Sequence, residues 1–309
     1  MFHRDTSPAP RLAICIPAYR DDASALIRAL SVLPEAAECA LLLYDDGSGD
    51  AELVRKHEAA LADYPGRKIL QVAPENLGRS FARNWLVAHA PTSWILFIDA
   101  DMLPDHPDFL ARYLRAAEDA PGPALIAGGF SLDQVMPGPH NRLHHAQAQA
   151  SDCVDAQTRR SDPGRFVFSS NILVHRDVLK QVGFDEEFSG WGWEDVDWGL
   201  RVVAAFPVVH IDNTATHFGL EPDDRLLDKF GASGPNFARL VSRHPEAAER
   251  MPLLAASRRV KGIPLLVPVA RAIAAARFLP VRLRVAALKV YRAAAYAPYI
   301  EPVLRERRE

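Results

Sequence analysis

Two carboxylates stand one residue apart in Asp99-Ala100-Asp101, directly after the apolar run WILFI at 94–98. Side chains at i and i+2 of an extended segment project to the same side, so this pair is expected to aim two hard oxygen ligands at one point. Such ligands suit Mg2+ or Mn2+, which keeps further positions for water and phosphate oxygens. As a Lewis acid, the ion would stabilise charge on a departing phosphate. A second acidic cluster, Asp45-Asp46-Gly47-Ser48, closes the run ALLLY at 40–44. A carboxylate there can accept from a nucleobase N–H or from ribose hydroxyls. Gly47 suits a tight turn, and Ser48 or Asp50 can cap the next helix. Arg79 and Arg83 follow Asn76-Leu77-Gly78 at helical i, i+4 spacing. Guanidinium groups near a helix N-terminus favour a diphosphate. The densest segment is Gly190-Trp191-Gly192-Trp193-Glu194-Asp195-Val196-Asp197. Indole faces can stack on sugar rings and glycine lets backbone approach a ligand. Glu194 and Asp195 open a helix, where an ionised carboxylate can take the proton of an attacking hydroxyl. Each cluster also has a purely structural reading as a strand-end turn, a capped helix or a core anchor.

Bringing such distant groups together needs a scaffold, and the hydrophobic pattern supplies one. Short apolar runs at 11–17, 40–44, 68–72 and 94–98 read as buried strands, and the segments 21–33, 51–64 and 79–89 show helical spacing. This alternation implies an α/β fold with a mainly parallel sheet flanked by helices. Ligands of such sheets bind beyond the carboxyl ends of the strands, where Pro17-Ala18-Tyr19, Asp45-Asp46 and Asp99-Ala100-Asp101 all fall. A further strand is expected at 124–130, then an irregular stretch at 136–165 with a short helix near 140–150. An extended segment at 166–174, a helix at 193–206 and a strand at 208–211 complete the sheet region.

The 309 residues are 49% hydrophobic and 24% charged, which excludes a disordered chain and an ordinary membrane bundle. No run of about 18 apolar residues occurs, so no membrane-spanning helix is expected. Cys15, Cys39 and Cys153 lack ligand spacing, and residues 1–11 lack the apolar stretch of a secretory leader, which points to the cytoplasm. The net charge of -3 is unevenly divided: residues 258–309 hold 12 Lys or Arg against 3 Asp or Glu, a local +9 over a body of -12. The tail is rich in Ala, Arg and Leu, with helical stretches at 265–276 and 281–296 broken at Pro264, Pro268, Pro280 and Pro298. They are too short and too charged to span a bilayer. Arg282, Arg284, Lys289 and Arg292 would suit an anionic membrane surface. Packing on the catalytic domain and a homodimer contact are the alternatives, and no nucleic-acid partner is expected.

In order and spacing, the stretches ICIPAYR, LLLYDDGSGD, NLGRSFARN and LFIDAD resemble the family 2 glycosyltransferases of the GT-A (Rossmann-like) fold. The segment SSNILVHRDVLKQVGFDEEFSGWGWEDVDWGLR is similar to the C-terminal catalytic part of galactosyltransferase-like enzymes. The resemblance covers about residues 11–220. It implies a catalytic domain at 1–222, divided near 102 into nucleotide-binding and acceptor halves, with a basic helical extension at 223–309. It further implies metal-dependent, inverting transfer of a sugar from a nucleotide diphosphate, UDP first, to a hydroxyl of a glycan or lipid-linked glycan. Pro17, Tyr19, Asp45 and Asp46 would line the nucleotide pocket, Arg79 or Arg83 would face the donor, and Asp99 would touch its ribose or sugar. Asp101 would bind Mn2+ or Mg2+ together with His217, in preference to His210. Asp195 would be the general base, with Glu194, Trp191, Gly192 and Trp193 at the acceptor. Trp193 departs from the family pattern, which has glycine there, and this leaves the acceptor open. A sugar nucleotidyltransferase and a non-catalytic glycan-binding relative are the rival readings.

Overall fold

The computed structural model describes residues 9–306 except 186 and 189. Its strands are β1 (Leu12–Ala18), β2 (Cys39–Asp45), β3 (Lys68–Val72), β4 (Trp94–Ile98), β5 (Met102–Pro104), β6 (Leu125–Ala127), β7 (Phe130–Ser131), β8 (Asn171–His175), β9 (Val208–His210) and β10 (Ala215–His217). Seven of them form one sheet in the order β3-β2-β1-β4-β8-β6-β9, in which only β8 runs antiparallel to its neighbours. The uninterrupted apolar runs are explained by burial on both faces. Leu12, Ile14 and Ile16 pack into one hydrophobic cluster, while the intervening Ala13 and Cys15 pack into another on the opposite side. Leu96 and Ile98 against Ile95 and Phe97 repeat the alternation in β4.

The helices of the sheet region are α1 (Ser24–Ser31), α2 (Ala51–Ala62), α3 (Arg79–His89), α4 (Phe109–Glu118), α5 (Arg142–Ser151), α6 (Ala156–Arg159), α7 (Arg176–Gln181) and α8 (Glu194–Val203). The strands and helices read from residues 11–98 all form, and β3, α3 and β4 begin and end where expected. The irregular stretch after 136 is ordered by α5 and α6. Elements too short to show periodicity were not anticipated. The main ones are β5, β7 and β10, which form a separate three-stranded sheet in the order β5-β10-β7. This small sheet carries His217 back to the edge where β4 ends.

From residue 223 every element is helical: α9 (Asp223–Ala232), α10 (Gly234–Arg243), α11 (Pro245–Glu249), α12 (Pro252–Val260), α13 (Leu266–Ala275) and α14 (Val281–Glu306). Two expectations are corrected here. Pro298 does not break the tail, because α14 runs through Pro298 and Pro302 while burying Tyr296, Ala297 and Ile300 against its neighbours. Pro268 sits in the first turn of α13, where a missing N–H leaves no helical bond unmade. Arg284 does not reach solvent or lipid. It is buried, donating to Asp223 Oδ2 at 2.6 Å and to the Ala274 carbonyl at 2.8 Å.

Candidate active site

Strand ends set the first groups in place. Asp45, last residue of the fully buried β2, is itself buried, and its Oδ1 accepts the Ser48 N–H at 2.8 Å. One of its oxygens therefore serves the turn, while Oδ2 is buried without a hydrogen-bond partner. Asp46 is almost fully buried too. Its carboxylate accepts the N–H groups of Leu77 at 2.9 Å and Gly78 at 2.8 Å and the side-chain amide of Asn76 at 3.0 Å. Burial pushes the Asp46 carboxyl up, while those two backbone donors pull it down. Gly47 makes the approach possible: it has φ +70°, and a Cβ there would collide with the backbone of Glu75. Asp46 thus clamps the loop that delivers Arg79 and Arg83. Ser48 Oγ accepts the Arg20 N–H at 2.7 Å, tying β1's end to the same turn. Tyr19 there is exposed and Pro17 half-buried.

Beyond β4 the chain turns instead of extending, since the Met102 N–H donates to the Asp99 carbonyl at 3.1 Å. The parallel carboxylates expected of an extended segment are corrected accordingly, and the two acids take different partners. Arg83 Nη2 donates to Asp99 Oδ1 at 3.2 Å, and its guanidinium lies over the Phe184 ring. Burial pushes the Asp99 carboxyl up against the pull of Arg83. Asp101 Oδ2 meets His217 Nε2 at 3.1 Å. Burial opposes charge on the imidazole, but the hydrogen bond and charge of Asp101 outweigh it and raise its proton affinity. The Asp101 carboxyl is lowered by the same contact despite its own burial.

A carboxylate oxygen and an imidazole nitrogen side by side suit Mn2+ better than Mg2+, which prefers oxygen ligands alone. Gly219 keeps the space beside them open, because a Cβ there would strike Asp101 Oδ2 and stand 2.8 Å from His217 Nε2. Among the described residues no group of three or more His, Cys, Asp or Glu forms a ligand set. An ion held by this pair would keep positions for phosphate oxygens.

The opposite wall is the N-terminus of α8. Asp195 Oδ2 accepts the Ser169 N–H at 3.0 Å. Glu194 Oε1 lies 3.5 Å from Arg79 Nη1, whereas its Oε2 is buried with no hydrogen-bond partner. Burial and then the charge of Asp195 push the Glu194 carboxyl up. Arg79 has an exposed side chain that reaches Glu194, and against some loss of hydration the charges of Asp99, Glu194, Asp195 and Asp101 hold its guanidinium above the ordinary value. Helix α3 therefore links the β4 end to α8, with Arg83 on Asp99 and Arg79 on Glu194.

The tryptophans lie differently from expectation. Trp191 packs edge-on to Phe230 of α9 at 5.1 Å, and Trp193 packs on Phe237 of α10 at 4.5 Å. Both are half-buried against the tail helices, not laid open side by side, because those helices need apolar partners. Gly192 and Trp193 both have positive φ, and Asn236 of α10 holds the Gly192 carbonyl at 3.1 Å. This strained corner aims the start of α8 at the cleft.

Residues 13–183, more than half of the chain, match the sequence model of glycosyl transferase family 2. The protein belongs to glycosyl transferase family 2. The chain is 29% identical over 276 residues to a validoxylamine A glucosyltransferase from Streptomyces hygroscopicus subsp. limoneus. The match takes in 78% of this chain and 58% of the relative, so the chain spans about three-fifths of that protein's length. Its fold is similar to a mannosyltransferase from Pyrobaculum calidifontis solved with GDP-Man and Mn2+ (15% identity, 94% and 88% of the two chains, TM-score 0.56). It is also similar to glucosyl-3-phosphoglycerate synthase from Mycobacterium tuberculosis solved with Mn2+, UDP and glucosyl-3-phosphoglycerate (16%, 79% and 86%, TM-score 0.51). Both structures support the GT-A assignment.

Two residues beside Asp195 and His217 escaped the sequence reading. Ser169 donates to Asp195, and His144 has its ring centre 6.4 Å from that of His217. Neither carries a local signal, since each matters only through a partner distant in sequence. His210 is buried between Arg159 Nε and the Pro163 carbonyl, a structural place.

Proposed function

We propose that this glycosyltransferase moves a sugar from a nucleoside diphosphate to a hydroxyl of a glycan or lipid-linked glycan, with inversion and with a divalent cation. The observation that carries the reading is that Arg79 and Arg83 of one helix reach Glu194 at 3.5 Å and Asp99 at 3.2 Å, while Asp101, two residues from Asp99, meets His217 at 3.1 Å. Asp101 and His217 would hold Mn2+ or Mg2+, which when bound offsets the charge of the departing diphosphate. Arg79 sits at the N-terminus of α3, where a phosphate is doubly favoured by charge and by backbone N–H groups. Its exposed side chain exchanges Glu194 for the diphosphate when the donor enters. Arg83 holds Asp99 in place for the donor's ribose or sugar. Asp46 acts on the nucleotide pocket by fixing the 76–78 loop, with Pro17 and Tyr19 beside it.

On the acceptor side, Asp195 receives the hydroxyl proton, oriented by its bond from Ser169. The unpartnered Oε2 of Glu194 is an acceptor waiting for a donor, which a sugar hydroxyl supplies. Trp191 and Trp193 shape the acceptor wall by their exposed edges. The relative's name makes glucose the first sugar to try, and UDP is the first nucleotide. Incubation with UDP-, GDP- and dTDP-glucose, with and without Mn2+, tests the proposal. Metal-dependent release of a nucleoside diphosphate is expected. Release of pyrophosphate, or no binding of any sugar nucleotide in a thermal-shift screen, would overturn it.

A further inference from the structure

Between residues 250 and 300 the chain has ten Lys or Arg and no Asp or Glu. Several of these cations are used internally: Arg284 pairs with Asp223, Arg258 with Glu249 and Arg271 with Asp228. Arg282 and Lys289 are exposed, and Arg277, although 3.9 Å from Asp223, keeps nearly half of its side chain in solvent. Among them lies α13, LVPVARAIAA, whose only charged residue is Arg271. Its inward stripe is Ala270 and Ala274, packed in one cluster with Leu227, Phe230 and Trp191. The outward side consists of Pro268, Val269, Ala272 and Ala275, all exposed and none polar. The turns at its two ends add Ile263 at 51%, Leu265 at 74% and Phe278 at 88% exposure. A helix facing water ordinarily carries polar groups on that side, and an apolar patch rimmed by charge marks a contact surface.

We infer that α13 and its flanking turns dock on an anionic lipid bilayer, with Leu265 and Phe278 entering the headgroup boundary and Arg277, Arg282 and Lys289 meeting lipid phosphates. The charge decides the occupant. A second copy of this chain in a symmetric contact would set one cationic rim against another, whereas an anionic bilayer complements it. The apolar side chains supply the burial that a purely electrostatic contact lacks. Because the buried stripe of α13 packs with Trp191, docking sets the acceptor side of the cleft one helix away from the membrane, where a lipid-linked acceptor would be held. The docking itself does not rest on the donor or metal assignments.

Sedimentation of the full chain with phosphatidylcholine vesicles, with and without phosphatidylglycerol, tests the inference. Binding is expected only with phosphatidylglycerol and should weaken as salt rises. The pair L265S with F278S, and separately R277Q with R282Q, should each weaken binding by roughly tenfold or more. Melting temperature should stay unchanged, since all four side chains lie at the surface. None of these readouts uses the donor, so failure of the transfer chemistry would leave the result interpretable. Absence of binding to phosphatidylglycerol vesicles, or binding untouched by both pairs, would overturn the inference. So would a concentration-dependent dimer in sedimentation velocity that F278S abolishes, which would assign the face to a second copy.

Discussion

Asp195 and Glu194 are adjacent on α8 yet differently served: one carboxylate is oriented by a backbone N–H, and the other keeps a buried oxygen without a partner. If Asp195 takes the acceptor proton, Asp195→Asn removes the base while preserving shape. Transfer should fall by about 10²–10⁴-fold, with donor affinity measured by calorimetry nearly unchanged. Full turnover by this variant would exclude the role. Asp101 and His217 make a parallel case. Asp101→Asn and His217→Ala should each abolish the extra thermal stabilisation that Mn2+ adds to a bound nucleoside diphosphate, and should raise the Mn2+ concentration needed for activity. An unchanged Mn2+ dependence in both variants would move the metal elsewhere. Much of this scale was legible beforehand, because Asp-x-Asp and Glu-Asp stand out at the ends of elements. The partners were not: His217 is distant from Asp101 in the chain, and no periodicity connects them.

The element that matters most is α8, and its hold on the rest of the molecule is electrostatic as well as apolar. Asp197 is fully buried one turn into the helix. Its carboxylate accepts from Arg201 Nε at 2.8 Å and meets His244 Nε2 at 2.9 Å, with Arg243 at 3.6 Å. Burial alone would raise the Asp197 carboxyl, but the bonds from His244 and Arg201 bring it below the usual carboxylate range. Asp197→Ala would remove the shared acceptor of partly exposed Arg201, Arg243 and His244 between α8 and α10 and should cost about 1–3 kcal/mol in urea unfolding. A loss within about 0.5 kcal/mol would show the network to be incidental. The sequence displayed Asp197 only as a third acid in a run. Its partners lie on α8 itself and at the end of α10, so its structural use became visible only when those helices met.

At the scale of the whole molecule, the tail is part of the core. Trp191 and Leu143 share one apolar cluster with α9, α13 and α14, and Leu200 and Trp193 share another with α10, α12 and α14. A fragment ending at residue 222 would expose both clusters. It should resist proteolysis far less than the full chain and lack a cooperative thermal transition. A stably folded fragment would instead establish the boundary expected at 222 as an independent unit. Proton linkage also belongs to this scale. His57 Nε2 accepts the Ala23 N–H, and His210 Nδ1 accepts from Arg159, so both buried rings must be neutral to keep these bonds. Burial lowers both below the ordinary histidine value. The unfolded chain therefore takes up their protons first as pH falls. Their contribution is complete above the unfolded histidine value, near pH 6.5, and is lost as pH falls below it. Urea midpoints at pH 7.5, 6.5 and 5.5 check this, and a midpoint that rises on acidification would contradict it.

The sequence by itself determined the order of strands and helices through β4 and the acids that stand at the ends of β2 and β4. Runs of apolar residues encode burial along one dimension, and that is enough to place strand ends. Tertiary structure alone decided which side chains face one another. It turned the chain after Asp99 so that Asp101 reached His217, gave Asp46 to the loop before Arg79, and buried Arg284 against Asp223. It also set the tryptophans against the tail helices. Pairing across long separations depends on how layers pack, and charge is stabilised or stranded only in that packed environment.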